Sequence, residues 1–399
     1  MLFPSVECTK CSKSCSATDI LTVCDCCGGA LFYRYDLALV SERVSKGDLK
    51  ERKNSFWKFV EVLPFSSPER IVSLGEPYTP VIPFSKAIEL PLDDVYVKDD
   101  GRLPTGTFKA RGMAVAVSVL KEHGVKSVAI PSAGNAAAAL TAYGTKARMD
   151  IYAFMPKDVP ENILKECVFG GASVFLVDGL ISDAAQVAKK LGEKHGWFDI
   201  STNKQPYRFE GYKVIAFELA EQFDWSLPDV ILFPTGGGEG VIGLWKGFKE
   251  LMDLDWIDRI PRLVVVQSSG CAPIVEAFER ESSEVKEPWK DPETIAAGLR
   301  VPKPYTSYLI LRAIKETNGL AVAVDDGEIL SSMKMFLHRG VYAGPEASST
   351  LAALMKLADQ SLLNKDDKTL LYITGTAMKS LDLLEVDINK MSVLGSGSV

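Results

Sequence analysis

The chain has 399 residues, 47% of them apolar and 24% charged, which is too long for one compact core and suits two domains plus an appendage. Its net charge of −7 and pI near 5.3 argue against a nucleic-acid or membrane-surface partner. The opening MLFPSVECTK has no basic segment leading into an apolar one, and no apolar run approaches a membrane span, so no secretory signal is read and a cytoplasmic location is expected.

Six of the eight cysteines (Cys8, Cys11, Cys15, Cys24, Cys26 and Cys27) precede residue 30, and only Cys167 and Cys271 lie beyond. Without an export signal a disulfide framework is out of place. Cys8/Cys11 and Cys24/Cys27 form two C-x-x-C pairs about a dozen residues apart, a spacing that suits one structural zinc in a closed tetrahedral thiolate site. Cys15 and Cys26 are spare, Cys26 being able to substitute for a neighbour, and a metal-free vestige is the alternative. Residues 1–37 are read as a separate, zinc-ribbon-like module ending in CGGALFYRYDL. Its charges, Glu7, Asp19, Asp25 and Asp36 against Lys10, Lys13 and Arg34, are not basic, which disfavours a nucleic-acid-binding knuckle.

Residues 41–62 read as one polar amphipathic helix, and Pro64 and Pro68 break up the segment after it. VYVKD (95–99) predicts a strand, MAVAVSVLKEH (113–123) a helix, SVAIP (127–131) a strand and NAAAALTAYGTKA (135–147) a helix. IYAFMP, SVFLVD, VILFP, RLVVVQ and LLYIT are further short apolar strands. This βαβα rhythm predicts an α/β fold with a mostly parallel sheet and helices on both faces. A core over 38–390 is expected, with a smaller subdomain at about 112–205 inserted in the larger one, and the tail SVLGSGSV is expected to be flexible. In such folds ligands sit at the carboxyl ends of strands, so the loops there are the places to look for chemistry.

Four loops meet that condition. In GRLPTGTFKARG (101–112), Lys109 stands at the positive end of a helix, where a lysine is pushed toward the neutral amine that attacks an aldehyde. Gly106 and Gly112 let the backbone pass close to a flat ring. In PSAGNAAAA (131–139), Ser132 and Gly134 suit a turn whose N–H groups face a substrate carboxylate, and Asn135 can offer its amide to a ring substituent or simply cap the helix. FPTGGGEGVIGLWKGF (233–248) carries Gly236, Gly237, Gly238 and Gly240 between a strand and a helix, a cradle for one phosphate monoester. Its G-x-G-x-x-G match is not a dinucleotide site, because the next strand ends in Gln267 rather than an acid for the ribose. In YITGTAMKS (372–380) the Thr374 hydroxyl suits an unprotonated pyridine nitrogen.

In that order, PTGTFKARG, SAGNAAAA, PTGGGEGVIGLWK and YITGTAMK resemble the lysine, asparagine, phosphate and pyridine-nitrogen loops of fold-type-II (tryptophan-synthase-β-like) pyridoxal-phosphate (PLP) enzymes. Within that group GWFDISTNKQPYRFEGYKVIAFELAEQ, IDRIPRLVVVQSSGCAPIVEAF, ETIAAGLRV and GPEASSTLAAL resemble the threonine synthases, and the cysteine pattern occurs in that branch. The resemblance implies two open, mostly parallel sheets flanked by helices and a homodimer. It implies that Lys109 carries PLP as a Schiff base and moves the α proton. It also implies that Asn135 meets the phenolic oxygen, that Gly236, Gly237, Gly238, Glu239 and Gly240 hold the phosphate, and that Thr374 faces the pyridine nitrogen. Ser132 would take the substrate carboxylate and Arg208 the substrate phosphate, with Lys213 a weaker candidate. The implied reaction is that of a carbon–oxygen lyase acting on phosphate: O-phosphohomoserine and water give threonine and phosphate.

Three departures from the family pattern matter, and the first two put the substrate in question. Ala110 stands where the family has an acid, Ala377 replaces a glycine, and Glu239 lies inside the phosphate cradle, where its side chain is expected to point away. The alternatives are a serine or threonine dehydratase, a cysteate synthase using phosphoserine and sulfite, and a non-catalytic PLP-binding regulator, against which the intact Lys109 argues.

Overall fold

Three short strands, β1 (Ser5–Cys8), β2 (Ser14–Ser16) and β3 (Leu31–Arg34), open the chain in the computed structural model. The structure describes residues 2, 5–85, 90–132 and 134–385, so the tail read as flexible lies outside it. The strands pair antiparallel in the order β2–β1–β3. Val6 and Cys8 are buried on one face of β1, and Phe32 on β3 packs edge-on to Phe209 of the core at 5.2 Å.

The single helix expected over 41–62 is three pieces: α1 (Leu37–Arg43), α2 (Lys46–Glu51) and 3-10 turns over Phe56–Val62. Val44 is extended, and Ser45 and Asp48 close a reciprocal capping box that starts a new helix. The apolar spacing that suggests one amphipathic helix arises instead from Phe56, Phe59 and Val62, all buried. Phe59 packs on Phe217 at 5.7 Å.

The strands β4 (Val81–Pro83) and β5 (Val95–Asp99) lead through a tight loop into α3 (Lys109–Glu122). Then come β6 (Ser127–Pro131), α4 (Asn135–Ala147), β7 (Asp150–Pro156), α5 (Glu161–Phe169), β8 (Ser173–Val177), α6 (Ile181–His195) and β9 (Phe198–Asp199). After α7 (Tyr207–Gln222) the order is β10 (Val230–Pro234), α8 (Glu239–Asp253), β11 (Arg262–Ser268), α9 (Pro273–Glu279), α10 (Ser307–Glu316), β12 (Leu320–Val324), α11 (Asp326–Leu337), α12 (Pro345–Asp359) and β13 (Thr369–Ile373).

Two sheets result. The larger has the order β12–β11–β10–β13–β5–β4 and is parallel except for β4. The smaller, β8–β7–β6–β9, is parallel throughout. β10 and β13 are buried at every position, as strands covered on both faces must be. Helices α3 and α7 run between the two halves, α3 buried from Ala110 to Leu120 and α7 from Tyr207 to Ala220. They approach closely because Gly211 has no side chain: a Cβ there would stand 2.1 Å from the Arg111 carbonyl oxygen. Among the described residues no helix is long and apolar enough to cross a membrane.

Candidate active site

The four loops singled out in the sequence follow β5, β6, β10 and β13 at their carboxyl ends, and they meet. Lys109 is the first residue of α3, Asn135 of α4 and Glu239 of α8, while Thr374 directly follows β13. All four, with Gly236, Gly237, Gly238 and Gly240, line one solvent-open cleft. The lysine and threonine loops are joined by backbone: Phe108 N–H donates to the Thr374 carbonyl at 2.8 Å, and Thr107 bridges to Gly375.

The glycine loop has the form an anion requires. Gly238 has φ +84°, and a Cβ there would meet Ile310 Cδ1 at 2.2 Å. A Cβ on Gly236 would meet the Gly298 carbonyl oxygen at 2.2 Å. Only glycine lets this loop close over the start of α8, where free N–H groups and the helix dipole are positive. Across the cleft, Asn135 Oδ1 is buried with no hydrogen-bond partner, which marks a polar group placed for something the cleft is to hold. A lysine, a phosphate cradle and an asparagine amide lining one cleft fit PLP.

The Glu239 side chain does not point away from this site. Its carboxylate turns inward, accepting from Lys109 Nζ, from Tyr212 Oη at 2.8 Å and from Arg208 Nη2 at 2.7 Å. The buried Arg208 and the partly exposed Lys109 draw it in. Burial alone would raise its pKa, but Arg208 and then Lys109 outweigh burial and hold the carboxyl at about 2. Burial pushes the Lys109 ammonium below the usual lysine range, and Glu239 opposes it only in part. Gly112 does not face the cleft: a Cβ there would stand 2.6 Å from the Tyr212 ring, so the flat ring it accommodates is the protein's own.

Beneath Lys109 lies a closed set of charges. Arg111 donates to Asp100 at 2.7 and 2.8 Å and to Glu218 at 2.8 Å, and Lys98 Nζ donates to Glu218 at 2.6 Å. All four are fully buried, and their formal charges cancel. Burial favours the protonated acid at Asp100, yet Arg111 holds its carboxyl below the usual range. The cluster ties α3 to β5 and α7, fixing the start of the lysine helix.

Ser132 and Arg208 are not among the described residues lining the cleft. The Ser132 hydroxyl accepts from Gly134 N–H at 3.3 Å, shaping the loop before Asn135. Arg208, only 1% exposed, stands behind the wall against Glu239. Lys213 lies elsewhere, paired with Glu210 and Glu250 at 2.6 and 2.8 Å. Glu346 and Phe108, to which the sequence reading gave no role, line the cleft, and Glu346 Oε1 accepts from Gly298 N–H at 2.8 Å. The signal for Glu346 is its place at the start of a helix in GPEASST, which has no lysine or glycine cluster to mark it. In the N-terminal module the sulfurs of Cys8, Cys11, Cys24 and Cys27 lie within 4.8 Å of one another, a separation compatible with one tetrahedral ion.

Comparison with known proteins gives a consistent picture. The family described as pyridoxal-phosphate dependent enzyme matches residues 72–375. The chain is 35% identical to a threonine synthase of Methanocaldococcus jannaschii, covering 94% of this chain and 93% of that protein. It is 32% identical to a threonine synthase of Methanosarcina acetivorans, covering 94% and 92%. Among solved structures, maize serine racemase superposes with a TM-score of 0.67 at 21% identity, covering 77% of this chain and 90% of that one, a likeness of fold.

Proposed function

We infer that this chain, which belongs to the pyridoxal-phosphate dependent enzyme family, is a lyase that converts O-phospho-L-homoserine and water to L-threonine and phosphate. The observation that carries the reading is the meeting of Lys109, the Gly236–Gly238 loop and Asn135 in one cleft, with Arg208 directly behind its wall, paired to Glu239. Likeness to two threonine synthases over nearly the whole chain supports the choice of substrate.

PLP, when bound, supplies an electron sink for negative charge developing on substrate carbons. The residues of the chain do the rest. Lys109 would hold the cofactor covalently. The N–H groups of Gly236 to Gly240 at the α8 terminus would take its phosphate, Asn135 its ring oxygen and Thr374 its pyridine nitrogen. A hydroxyl there, rather than an acid, would leave that nitrogen unprotonated. Lys109, whose ammonium burial pushes below the usual lysine range, is suited to take the α proton and return it. The Ser132 loop would grip the substrate carboxylate. Arg208, a planar fork of donors, would take the substrate phosphate that leaves from Cγ before water adds at Cβ. A zinc ion held by Cys8, Cys11, Cys24 and Cys27 would cross-link the N-terminal module in a structural role.

The test is a steady-state comparison of phosphohomoserine with serine, threonine and phosphoserine plus sulfite. Phosphohomoserine should have the highest kcat/KM by a wide margin. Faster turnover of serine would make the enzyme a dehydratase.

A further inference from the structure

We propose that Glu239 is an internal competitor for Arg208 and sets the affinity of the site for phosphate-bearing substrates. This rests on the reading above, in which Arg208 takes the substrate phosphate.

Arg208 Nη2 lies 2.7 and 2.6 Å from the two carboxylate oxygens of Glu239. Its other donors are poorly used. Nη1 reaches the Ile200 carbonyl at 3.3 Å and Thr202 Oγ1 at 3.4 Å, and Nε is buried with no partner. A buried arginine with an unpaired N–H is a donor set built for one more acceptor.

A guanidinium grips two oxygens of an anion through one of two forks, the end-on pair Nη1 and Nη2 or the side-on pair Nε and Nη2. Both forks draw on Nη2, whose N–H groups go to Glu239 at 2.7 Å and, more weakly, to Tyr212 Oη at 3.3 Å. A phosphate that takes either fork therefore competes for Nη2 with Glu239, its strongest acceptor. Release leaves the carboxylate a partner, because Tyr212 Oη also donates to it at 2.8 Å. The path is short: a Cβ on Gly237 would stand 3.0 Å from the Thr202 methyl, so Arg208 sits one side chain behind the phosphate loop. A dianionic phosphate can outbid one carboxylate for the fork, whereas a neutral hydroxyl cannot. Glu239 thus discriminates against substrates that lack the phosphate.

The experiment is equilibrium dialysis of inorganic phosphate against the PLP-loaded protein, comparing wild type, Glu239→Gln, Arg208→Ala and the double variant. Glu239→Gln should bind phosphate at least about tenfold tighter, the scale of one charge-assisted hydrogen bond regained. The double variant should lose that gain. A purely structural role for Glu239 would weaken phosphate binding in Glu239→Gln, so the direction of the change separates the two. If binding is unchanged or weaker in Glu239→Gln while Arg208→Ala still weakens it in the wild-type background, competition is wrong and the assignment of Arg208 stands. If Arg208→Ala changes nothing in either background, the assignment of Arg208 itself is wrong. Should Glu239→Gln fail to fold, Glu239→Asp keeps the charge on a shorter arm. It should tighten phosphate binding by a smaller factor, and wild-type affinity in that variant would overturn the proposal.

Discussion

Replacing Gly236 by alanine puts the phosphate cradle to a direct test. The new Cβ would stand 2.2 Å from the Gly298 carbonyl oxygen and 3.0 Å from Val301 Cγ2. The nearer obstacle is backbone, and it is braced, since Gly298 N–H donates to Glu346 at 2.8 Å. The glycine loop must therefore retreat by roughly 0.8 Å to reach the shortest separation a Cβ tolerates. An N–H to phosphate bond lengthened by that much is effectively lost, and each such charge-assisted bond is worth about 1.5–3 kcal/mol. Losing one or two predicts a PLP dissociation constant raised on the order of 10²-fold or more. Visible absorbance after dialysis against graded PLP concentrations measures it, with thermal unfolding of the cofactor-stripped protein run alongside to show that the fold survives. Gly192→Ala is the control: its Cβ would meet only the Trp197 carbonyl at 3.5 Å in the last turn of α6, so PLP affinity should stay at the wild-type value. Wild-type PLP affinity in Gly236→Ala would mean that the cofactor phosphate lies elsewhere and that the loop is merely a tight turn.

The same geometry predicts other outcomes. The wild-type protein should be yellow, and borohydride should fix PLP to the peptide containing Lys109, while Lys109→Ala should fix none; label on another lysine of that variant would refute the assignment. Because burial pushes the Lys109 ammonium down, the rate at which stripped protein takes up PLP should rise with pH and level off below the ordinary lysine value of 10.5; a plateau at or above that value would contradict it. Metal analysis after purification without chelator should find about one zinc per chain, the capacity of a single four-thiolate site, and far less would favour the vestige. Strong chelation should also loosen PLP. Tyr308 Oη meets Thr9 Oγ1 at 2.7 Å and Ala30 N–H at 3.1 Å in the cysteine module, while the nearby Thr306 accepts from Asn203, whose amide also donates to the Gly237 carbonyl at 2.7 Å. Unchanged PLP retention after complete zinc removal would show that the two ends of this chain of contacts are independent.

The strand–loop–helix units are legible because each carries its own local signal. VILFP is apolar throughout as a doubly covered strand must be, and three consecutive glycines before a helix have few other uses. LAVAV (320–324) carries a similar signal but no chemistry-bearing loop after it to draw the eye, while β9, two residues long, carries almost none. The stretch 41–62 misleads because apolar spacing reports which residues are buried and not whether the backbone between them is continuous; the capping box at Ser45 decides that. Glu239 is illegible for a different reason. From neighbours in the chain it is an acid in a phosphate loop, and repulsion is the natural expectation. Its true partners, Lys109 and Arg208, are 130 and 31 residues away, and only the fold brings their charges together. Gly112 teaches the same lesson, since the ring it makes room for arrives from α7.

The cage of Lys98, Asp100, Arg111 and Glu218 constrains how this chain can vary. Removing any single member strands an unbalanced charge in a dry interior, a change that costs about 3–5 kcal/mol, whereas exchanging opposite members together for apolar groups of matching volume can be nearly neutral. Energies measured at these positions will therefore not add, and double substitutions will look milder than the sum of their parts. Variation that reaches the floor of the lysine helix must arrive in compensating pairs. Arg111 and Glu218 are 107 residues apart in the chain, so a drifting sequence can cross this ground only by correlated steps between distant positions.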